Sequence, residues 1–400
     1  MFGCVTGRSC NQFEALLAAQ EVVSMTKKIE RFFEEESPAS PCLVVDLEIV
    51  AKNYLTLQNQ LPGIDIYYAV KANPAKPILK VLRDLGSNFD TASIYEIRQC
   101  LALGISPARL SFGHTVKKES HIHEAFVSGV RHFAFDSVEE LEKIARVAPK
   151  SSVFCRFLTP NDGADWPLSD KFGCMPNMVV ELLCYAFDLG LKPIGVSFHV
   201  GSQQRKVSTW GKALEIAGEI FDEAIQHGIK LSFLNLGGGF PSQYRTPVSD
   251  LKEYTRLINR SLKSHFSNEI PRIIVEPGRY IPGNAGVIQS EVILISRKSS
   301  EARKRWVYLD IGKFGGLPEV LDESIQYEIR TPRDGGKTGP VVIAGPTCDE
   351  VDVIYDSADY ELPIDLAIGD RVEILSAGAY TASYCSVGFN GFSILKEYYI

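Results

Sequence analysis

The stretch YYAVKANP, residues 67–74, decides the fold, because it places a charged side chain directly after an apolar, aromatic run. A strand that faces a packed interior normally excludes an ammonium group, since burying an unpaired charge costs several kcal/mol. Lys71 therefore either reaches solvent at the end of a strand or takes part in chemistry.

Seven further runs of this kind follow along the chain, separated by helical patterns of about 10 to 20 residues, which is typical of repeated βα units. With the first, the eight runs are DIYYAV (65–70), SNFDT (87–91), RLSFG (109–113), HFAFD (132–136), SVFCRF (152–157), IGVSFHV (194–200), FLNLGGG (233–239) and RIIVEPG (272–278). Eight parallel strands with intervening helices close a TIM-like (β/α)₈ barrel. The sequence therefore predicts an α/β fold with such a barrel over residues 49–284.

The pattern changes after about residue 285 to strands and turns with little helix, as in GVIQSEVILISR and PVVIAGPTCDEVDVIY. This change predicts a second, all-β domain over residues 285–400. PCLVVDLE (41–48) lies ahead of the barrel, and we expect residues 38–48 to add a strand to the second domain. Residues 1–37 are predicted to be an N-terminal extension, partly disordered.

The composition limits the function classes. Hydrophobic residues make up 45% of the chain and the net charge is −7, so nothing attracts nucleic acid or an anionic membrane surface. The nine cysteines contain no CxxC pair, which argues against a metal site or a disulfide framework and favours a reducing compartment, the cytoplasm. No apolar stretch reaches the roughly 18 residues that span a bilayer.

Polar residues end most of the predicted barrel strands, and in a barrel these ends share the face where active sites are built. LNLGGGFP (234–241) places three glycines after a strand, which makes either a simple tight turn or a phosphate-binding loop. VEPGRY (275–280) adds a carboxylate and a guanidinium. SFHVGS (197–202) adds His199, although a lone histidine is more often a core or surface residue.

This ordered set of motifs resembles the fold-type III pyridoxal-phosphate enzymes, the group of alanine racemase and eukaryotic-type ornithine decarboxylase. The resemblance spans roughly residues 38 to 395. It implies that Lys71 forms the Schiff base with pyridoxal 5'-phosphate (PLP), for which an apolar site lowers the lysine pKa. It also implies that Glu276 keeps the pyridine nitrogen protonated and that His199 stacks on the ring.

The resemblance implies further cofactor-binding residues, most of them around the phosphate. They are Asp90, Arg156, Ser202, Gly237, Gly238, Gly239, Gly278, Arg279 and Tyr380, the last in GAYT (378–381).

The second domain carries the residues that the resemblance assigns to the substrate. GPTCDEVDVIY (345–355) supplies Cys348, which reprotonates Cα, and Asp349, which binds the distal amine. By itself, Cys348 would more often be an inert thiol. Asp322 in GGLPEVLDESIQY is the second partner of the amine, Phe389 in FNGF lines the carboxylate pocket, and Tyr380 also contacts substrate.

The expected protein is therefore a homodimer with shared active sites that decarboxylates L-ornithine to putrescine, with L-lysine to cadaverine as a second activity. The sequence is similar to the bacterial ornithine/lysine branch of the group. Three alternatives remain open: a decarboxylase of arginine, diaminopimelate or carboxynorspermidine, a catalytically inactive regulatory homologue, and a plain cofactor carrier.

Overall fold

The structure is a computed structural model that describes residues 25–160, 162–167, 170–266 and 270–400. Residues 1–24, the first part of the predicted extension, lie outside the described residues. The described chain forms a closed barrel of parallel strands and a second, separate sheet.

Eight strands close the barrel, and each of the eight apolar runs of the sequence supplies one of them. They are β2 (Asp65–Ala69), β3 (Asn88–Thr91), β4 (Leu110–Phe112), β5 (His132–Phe135), β6 (Ser152–Arg156), β8 (Lys192–Ser197), β10 (Phe233–Asn235) and β11 (Arg272–Val275). Parallel pairing of β11 with β2 closes the ring. The predicted (β/α)₈ barrel is confirmed.

Helices surround the barrel, while aromatic side chains from distant strands fill it. The helices are α2 (Leu47–Gln60), α3 (Lys76–Asp84), α4 (Ile94–Ala102), α5 (Glu119–Val127), α6 (Val138–Val147), α7 (Val179–Asp188), α8 (Ser208–Gln226) and α9 (Leu251–His265). Tyr67, Phe154 and Phe233 belong to one buried cluster although they come from β2, β6 and β10. Strands so far apart meet only inside a barrel, so the interior is a packed core.

A mixed sheet of nine strands forms the second domain, as the change of pattern near residue 285 predicts. Its strands are β1 (Cys42–Val45), β12 (Gly286–Ser296), β13 (Arg305–Leu309), β14 (Ile329–Arg330), β15 (Thr338–Ala344), β16 (Val353–Tyr355), β17 (Glu361–Pro363), β18 (Arg371–Ile374) and β19 (Lys396–Tyr399). β1 pairs antiparallel with β12 and parallel with β19. A small ribbon of β7 (Ala164–Trp166) and β9 (Ser202–Gln204) lies apart from both sheets.

The last part of the predicted extension is a helix in the structure, α1 (Lys27–Glu36). Thr26 caps it by accepting a hydrogen bond from the Ile29 amide, and Ile29 and Phe33 are buried against β1 and the second sheet. The sequence KKIERFFEEE carries few apolar residues, but Phe32 and Phe33 lie three and four positions after Ile29 and so share one helix face with it. Folded structure therefore begins ahead of residue 38.

The two domains are joined beside Lys71. The Asn73 side-chain amide donates to the Gly378 carbonyl at 2.9 Å, and the Tyr380 amide donates to the Ala72 carbonyl at 2.8 Å. These bonds hold the GAYT loop of the second domain against the end of β2. Among the described helices, none combines the length and apolar character that crossing a membrane requires.

Candidate active site

A polar cavity lies at the carboxyl ends of the barrel strands and encloses about 320 Å³, including its opening to solvent. Ten of its twelve lining residues are among the predicted site residues: Lys71, Asp90, His199, Ser202, Gly238, Gly239, Glu276, Gly278, Arg279 and Tyr380. Ala69 and Phe240 complete the lining. The structure therefore brings together residues that lie more than 300 positions apart in the chain.

Lys71 lies in a single helical turn, Val70–Ala72, directly after β2. Its side chain reaches solvent only through the cavity that it lines, and protein atoms surround its ammonium group; the residues on either side of it are buried. Burial lowers the pKa of Lys71, but Tyr380, Asp90 and Glu276 together raise it by more, so the net direction is upward. The expectation of a lowered pKa is wrong for this arrangement, because Tyr380 and the carboxylates of Asp90 and Glu276 together outweigh burial.

Two carboxyl groups face Lys71 from neighbouring strands. Burial and the charge of Glu276 raise the pKa of Asp90 well above its usual range, and Oδ1 of Asp90 has no hydrogen-bond partner within the described chain. Burial also raises the pKa of Glu276, while a hydrogen bond from the Asn235 side-chain amide, at 2.5 Å, acts in the opposite direction. Asn235 thereby fixes the orientation of the Glu276 carboxylate.

His199 is neutral in this cavity. Burial, together with the charges of Arg156 and Lys71, lowers its pKa well below the usual value. Nδ1 of His199 accepts a hydrogen bond from the Gly201 amide at 3.1 Å, which places the remaining ring proton on Nε2. A neutral, oriented imidazole is suited to stacking on an aromatic ring.

The glycine loop between β10 and the cavity admits no larger residue. Gly237 and Gly239 have positive φ angles of 64° and 108°, a region that favours glycine. A Cβ on Gly238 would lie 2.7 Å from the Glu276 carbonyl oxygen and 3.1 Å from Nε2 of His199. The Asn235 side chain accepts a hydrogen bond from the Gly237 amide, so the same residue orients the loop and Glu276.

Arg279 is almost fully buried, and its guanidinium has partners that the sequence analysis missed. Both terminal nitrogens contact the Glu319 carboxylate, at 2.6 and 2.7 Å. One of them also donates to Tyr244 Oη at 2.9 Å, and the other to Ser202 Oγ at 3.0 Å. Nε has no partner among the described residues. These opposite charges raise the pKa of Arg279 well above its usual range despite burial.

Some predicted site residues lie outside the lining of the cavity. Gly237 and Arg156 adjoin it, and the Arg156 charge acts on Lys71 and His199. The predicted substrate residues Asp322, Cys348 and Asp349 are exposed on the second domain, and Phe389 there packs against Phe314 with ring centroids 4.7 Å apart. Within this one chain, the structure does not bring these four residues to the cavity.

The buried carboxylate of Asp352 links the loop around Lys313 to the loop that carries Cys348. Asp352 accepts hydrogen bonds from the amides of Lys313 and Thr347, at 2.7 and 3.1 Å, and from Thr347 Oγ1 at 2.7 Å. The Cys348 amide donates to Oδ1 of Asn390 at 2.9 Å. Cys348 therefore projects from a loop whose backbone is fixed on both sides.

The cavity fits PLP. The glycine loop and the hydroxyl groups of Ser202 and Tyr380 line the cavity and offer donors for a phosphate, in the arrangement that loops after the last barrel strands commonly provide. Lys71 supplies the amine for the aldehyde, and the buried Glu276 supplies a carboxylate for a ring nitrogen.

Comparisons with known proteins agree with this geometry. Residues 47–283 match the family model described as pyridoxal-dependent decarboxylase, pyridoxal binding domain. The lysine/ornithine decarboxylase of Selenomonas ruminantium is 33% identical over 377 residues, 94% of this chain and 91% of the relative. Its name covers two of the predicted substrates.

Solved structures are similar over the same length. The structure of SrLDC in complex with PLP and cadaverine has a TM-score of 0.83 and 32% identity, covering 94% of this chain and 93% of the other. The Paramecium bursaria Chlorella virus arginine decarboxylase bound to agmatine has a TM-score of 0.86 and 32% identity, covering 94% and 100%. The cavity, the family model and these relatives together show that the chain belongs to the pyridoxal-dependent decarboxylases, the fold-type III enzymes of basic amino acids, with PLP as cofactor.

Proposed function

We propose that this protein decarboxylates L-ornithine to putrescine and accepts L-lysine, giving cadaverine, as a second substrate. The observation that carries the proposal is the pair Cys348 and Asp349, a thiol and a carboxylate side by side on one fixed, exposed loop. A thiol can return a proton to carbon, and a carboxylate pairs with an alkyl ammonium group. Asp322 adds a second exposed carboxylate.

The roles of the cavity residues follow from their surroundings. When bound, PLP supplies the electron sink that takes up the electron pair released as CO₂ leaves. Lys71 would hold the cofactor through its side-chain amine. Glu276, oriented by Asn235, would hold a proton at the ring nitrogen of the cofactor, and the neutral His199 would stack on the ring.

We infer that the active form is a homodimer with two shared sites. Cys348 and Asp349 are exposed and do not line the cavity of their own chain, so a second copy is needed to bring them to it. Exposed apolar side chains lie in the same region, including Val351, Val387 and Phe392. The cytoplasm remains the proposed location, because the described cysteines are all free.

Mixing two variants that each fail to form the amine product tests the shared site, with amine formation as the measured activity. Lys71→Ala and Cys348→Ala lie on opposite sides of the proposed interface, so a mixed dimer has one intact site. Random exchange of equal amounts should restore about one quarter of the wild-type activity, since half the dimers are mixed and each has one intact site of two. No recovery after exchange, verified by native mass spectrometry, would contradict a shared site.

The substrate is tested by kcat/KM for ornithine, lysine, arginine and diaminopimelate, with CO₂ and amine both measured. One methylene separates ornithine from lysine and is worth about 1 to 3 kcal/mol, or roughly 10- to 200-fold. We expect ornithine and lysine to exceed the other two, because diaminopimelate needs a cation for its second carboxylate.

Arginine is the second candidate substrate, because the agmatine-bound arginine decarboxylase has a TM-score of 0.86 to this chain. The highest kcat/KM for arginine would replace our proposal. Decarboxylation of carboxynorspermidine would also replace it. An inactive regulatory homologue or a plain cofactor carrier would give no CO₂ from any of these substrates.

A further inference from the structure

The four hydrogen bonds that the terminal nitrogens of Arg279 can donate are all made within the protein. The two terminal nitrogens are occupied by Glu319, Tyr244 and Ser202, while Nε is buried and has no partner among the described residues. Arg279 nevertheless lines the cavity. A guanidinium that approached a phosphate with its fork would need both terminal nitrogens free, which is not the arrangement here.

The charge of this guanidinium is also balanced before any phosphate binds. The side chains of Arg279 and Glu319 are 2% and 4% exposed, and both carboxylate oxygens face the guanidinium. Glu319 has no comparable partner besides Arg279 in the described chain. The pair therefore brings little net positive charge to this end of the cavity, where Ser202 and Tyr380 contribute neutral hydroxyl groups.

We propose that Glu319 is a positioning residue of the phosphate site, which holds both terminal nitrogens of the Arg279 guanidinium and cancels its charge beside the cofactor phosphate. The phosphate is then bound mainly by neutral donors, namely hydroxyl groups and the amides of the glycine loop. A buried arginine is stabilised in this way before the cofactor binds, and phosphate affinity is lower than an unopposed arginine would give. The inference rests on the cofactor and is independent of the proposed substrate.

The first test measures binding of inorganic phosphate to the folded apoenzyme by calorimetry. Glu319→Gln removes the carboxylate charge that opposes Arg279 and keeps the side-chain volume nearly constant. We therefore expect phosphate to bind about 10-fold more tightly, because the Arg279 charge is then unopposed. A residue that only supported the fold would leave the affinity unchanged or weaken it, and either result would overturn the proposal.

Glu323→Gln is the matched control. It makes the same chemical change four residues away, at a carboxylate that accepts hydrogen bonds from the amides of Asp356 and Ser357 rather than from Arg279. Phosphate affinity should be unchanged in this variant. An equal increase in both variants would mean that net charge alone matters and would overturn a specific role for Glu319.

The second test removes both partners and does not depend on a buried unpaired charge. Arg279→Met combined with Glu319→Gln should fold, because replacing a whole buried ion pair is often neutral for stability. If the pair is electrically balanced, PLP should bind to this double variant within about 10-fold of wild type. A loss of about 100-fold or more, measured by titration of the folded apoenzyme, would show that Arg279 acts as an unopposed cation and would overturn the proposal.

Discussion

The substitution Gly238→Ala should weaken PLP binding because a single methyl group has no room in the glycine loop. The added Cβ would lie 2.7 Å from the Glu276 carbonyl oxygen, closer than real contacts allow, and 3.1 Å from Nε2 of His199. Gly238 is not among the glycines with positive φ, so the penalty is steric rather than conformational. The backbone after β11 would have to move.

Overpacking of this kind costs about 1 to 3 kcal/mol. If the whole strain acts on the bound state, the dissociation constant of PLP should rise by about 5- to 150-fold, since about 1.4 kcal/mol corresponds to a factor of ten. Titration of the apoenzyme with PLP, followed by absorbance, measures this change.

Gly211→Ala is the matched control for the same chemical change. Gly211 lies in α8, and a Cβ there would have no neighbour closer than 3.6 Å, the Ser261 hydroxyl. Alanine is favoured over glycine in a helix by about 1 kcal/mol, so this variant should bind PLP normally and be slightly more stable. Wild-type PLP affinity in Gly238→Ala would refute the reasoning, because the clash would then have been relieved elsewhere without affecting the site.

Three further predictions concern the reacting groups. Lys71→Ala should lose the absorbance near ~420 nm that a protonated imine of PLP gives, and retention of that band would exclude Lys71 as the anchor. Cys348→Ala should lose amine product and divert part of the turnover to decarboxylation-dependent transamination, so an unchanged amine yield would remove the proposed role. Burial lowers the pKa of His199 in the folded protein, so below about pH 6.5 the unfolded chain binds a proton that the folded protein does not. The free energy of unfolding is therefore highest above that pH and falls as the pH decreases. His199→Gln should reduce this slope by up to about 1.4 kcal/mol per pH unit in chemical denaturation, and an unchanged slope would show that His199 titrates alike in both states.

The barrel could be predicted from the sequence because each strand carries its own local signal. An apolar run such as SVFCRF is followed by a polar residue and then a helical pattern, and eight repetitions admit few folds. The helix α1 escaped prediction because its apolar residues are few and are buried by a sheet formed from distant segments. Its cap, Thr26, was the available local signal.

The site residues that could be predicted are those whose chemical role follows from their residue type and their place at the end of a barrel strand. Lys71, Glu276 and the glycine loop are such cases, and Asn235 could have been added, because it ends β10 two positions before the first of the glycines. Glu319 and Tyr244 could not, since their role arises only when the second domain and a barrel loop meet Arg279. The sequence shows those residues in segments with unrelated patterns.

The charge of Lys71 changes how its replacement should be interpreted. The lysine lowers the pKa values of Asp90 and Glu276, while both carboxyl groups raise the pKa of the lysine. Lys71→Ala therefore removes the anchor and also one of the cations that lower the pKa of Glu276, so two effects are combined in one variant. Lys71→Arg separates them, because it keeps the positive charge but cannot form an imine. If the covalent anchor alone matters, both variants should lose the ~420 nm band and bind PLP equally weakly. If the charge matters as well, the arginine variant should bind PLP more tightly than the alanine variant.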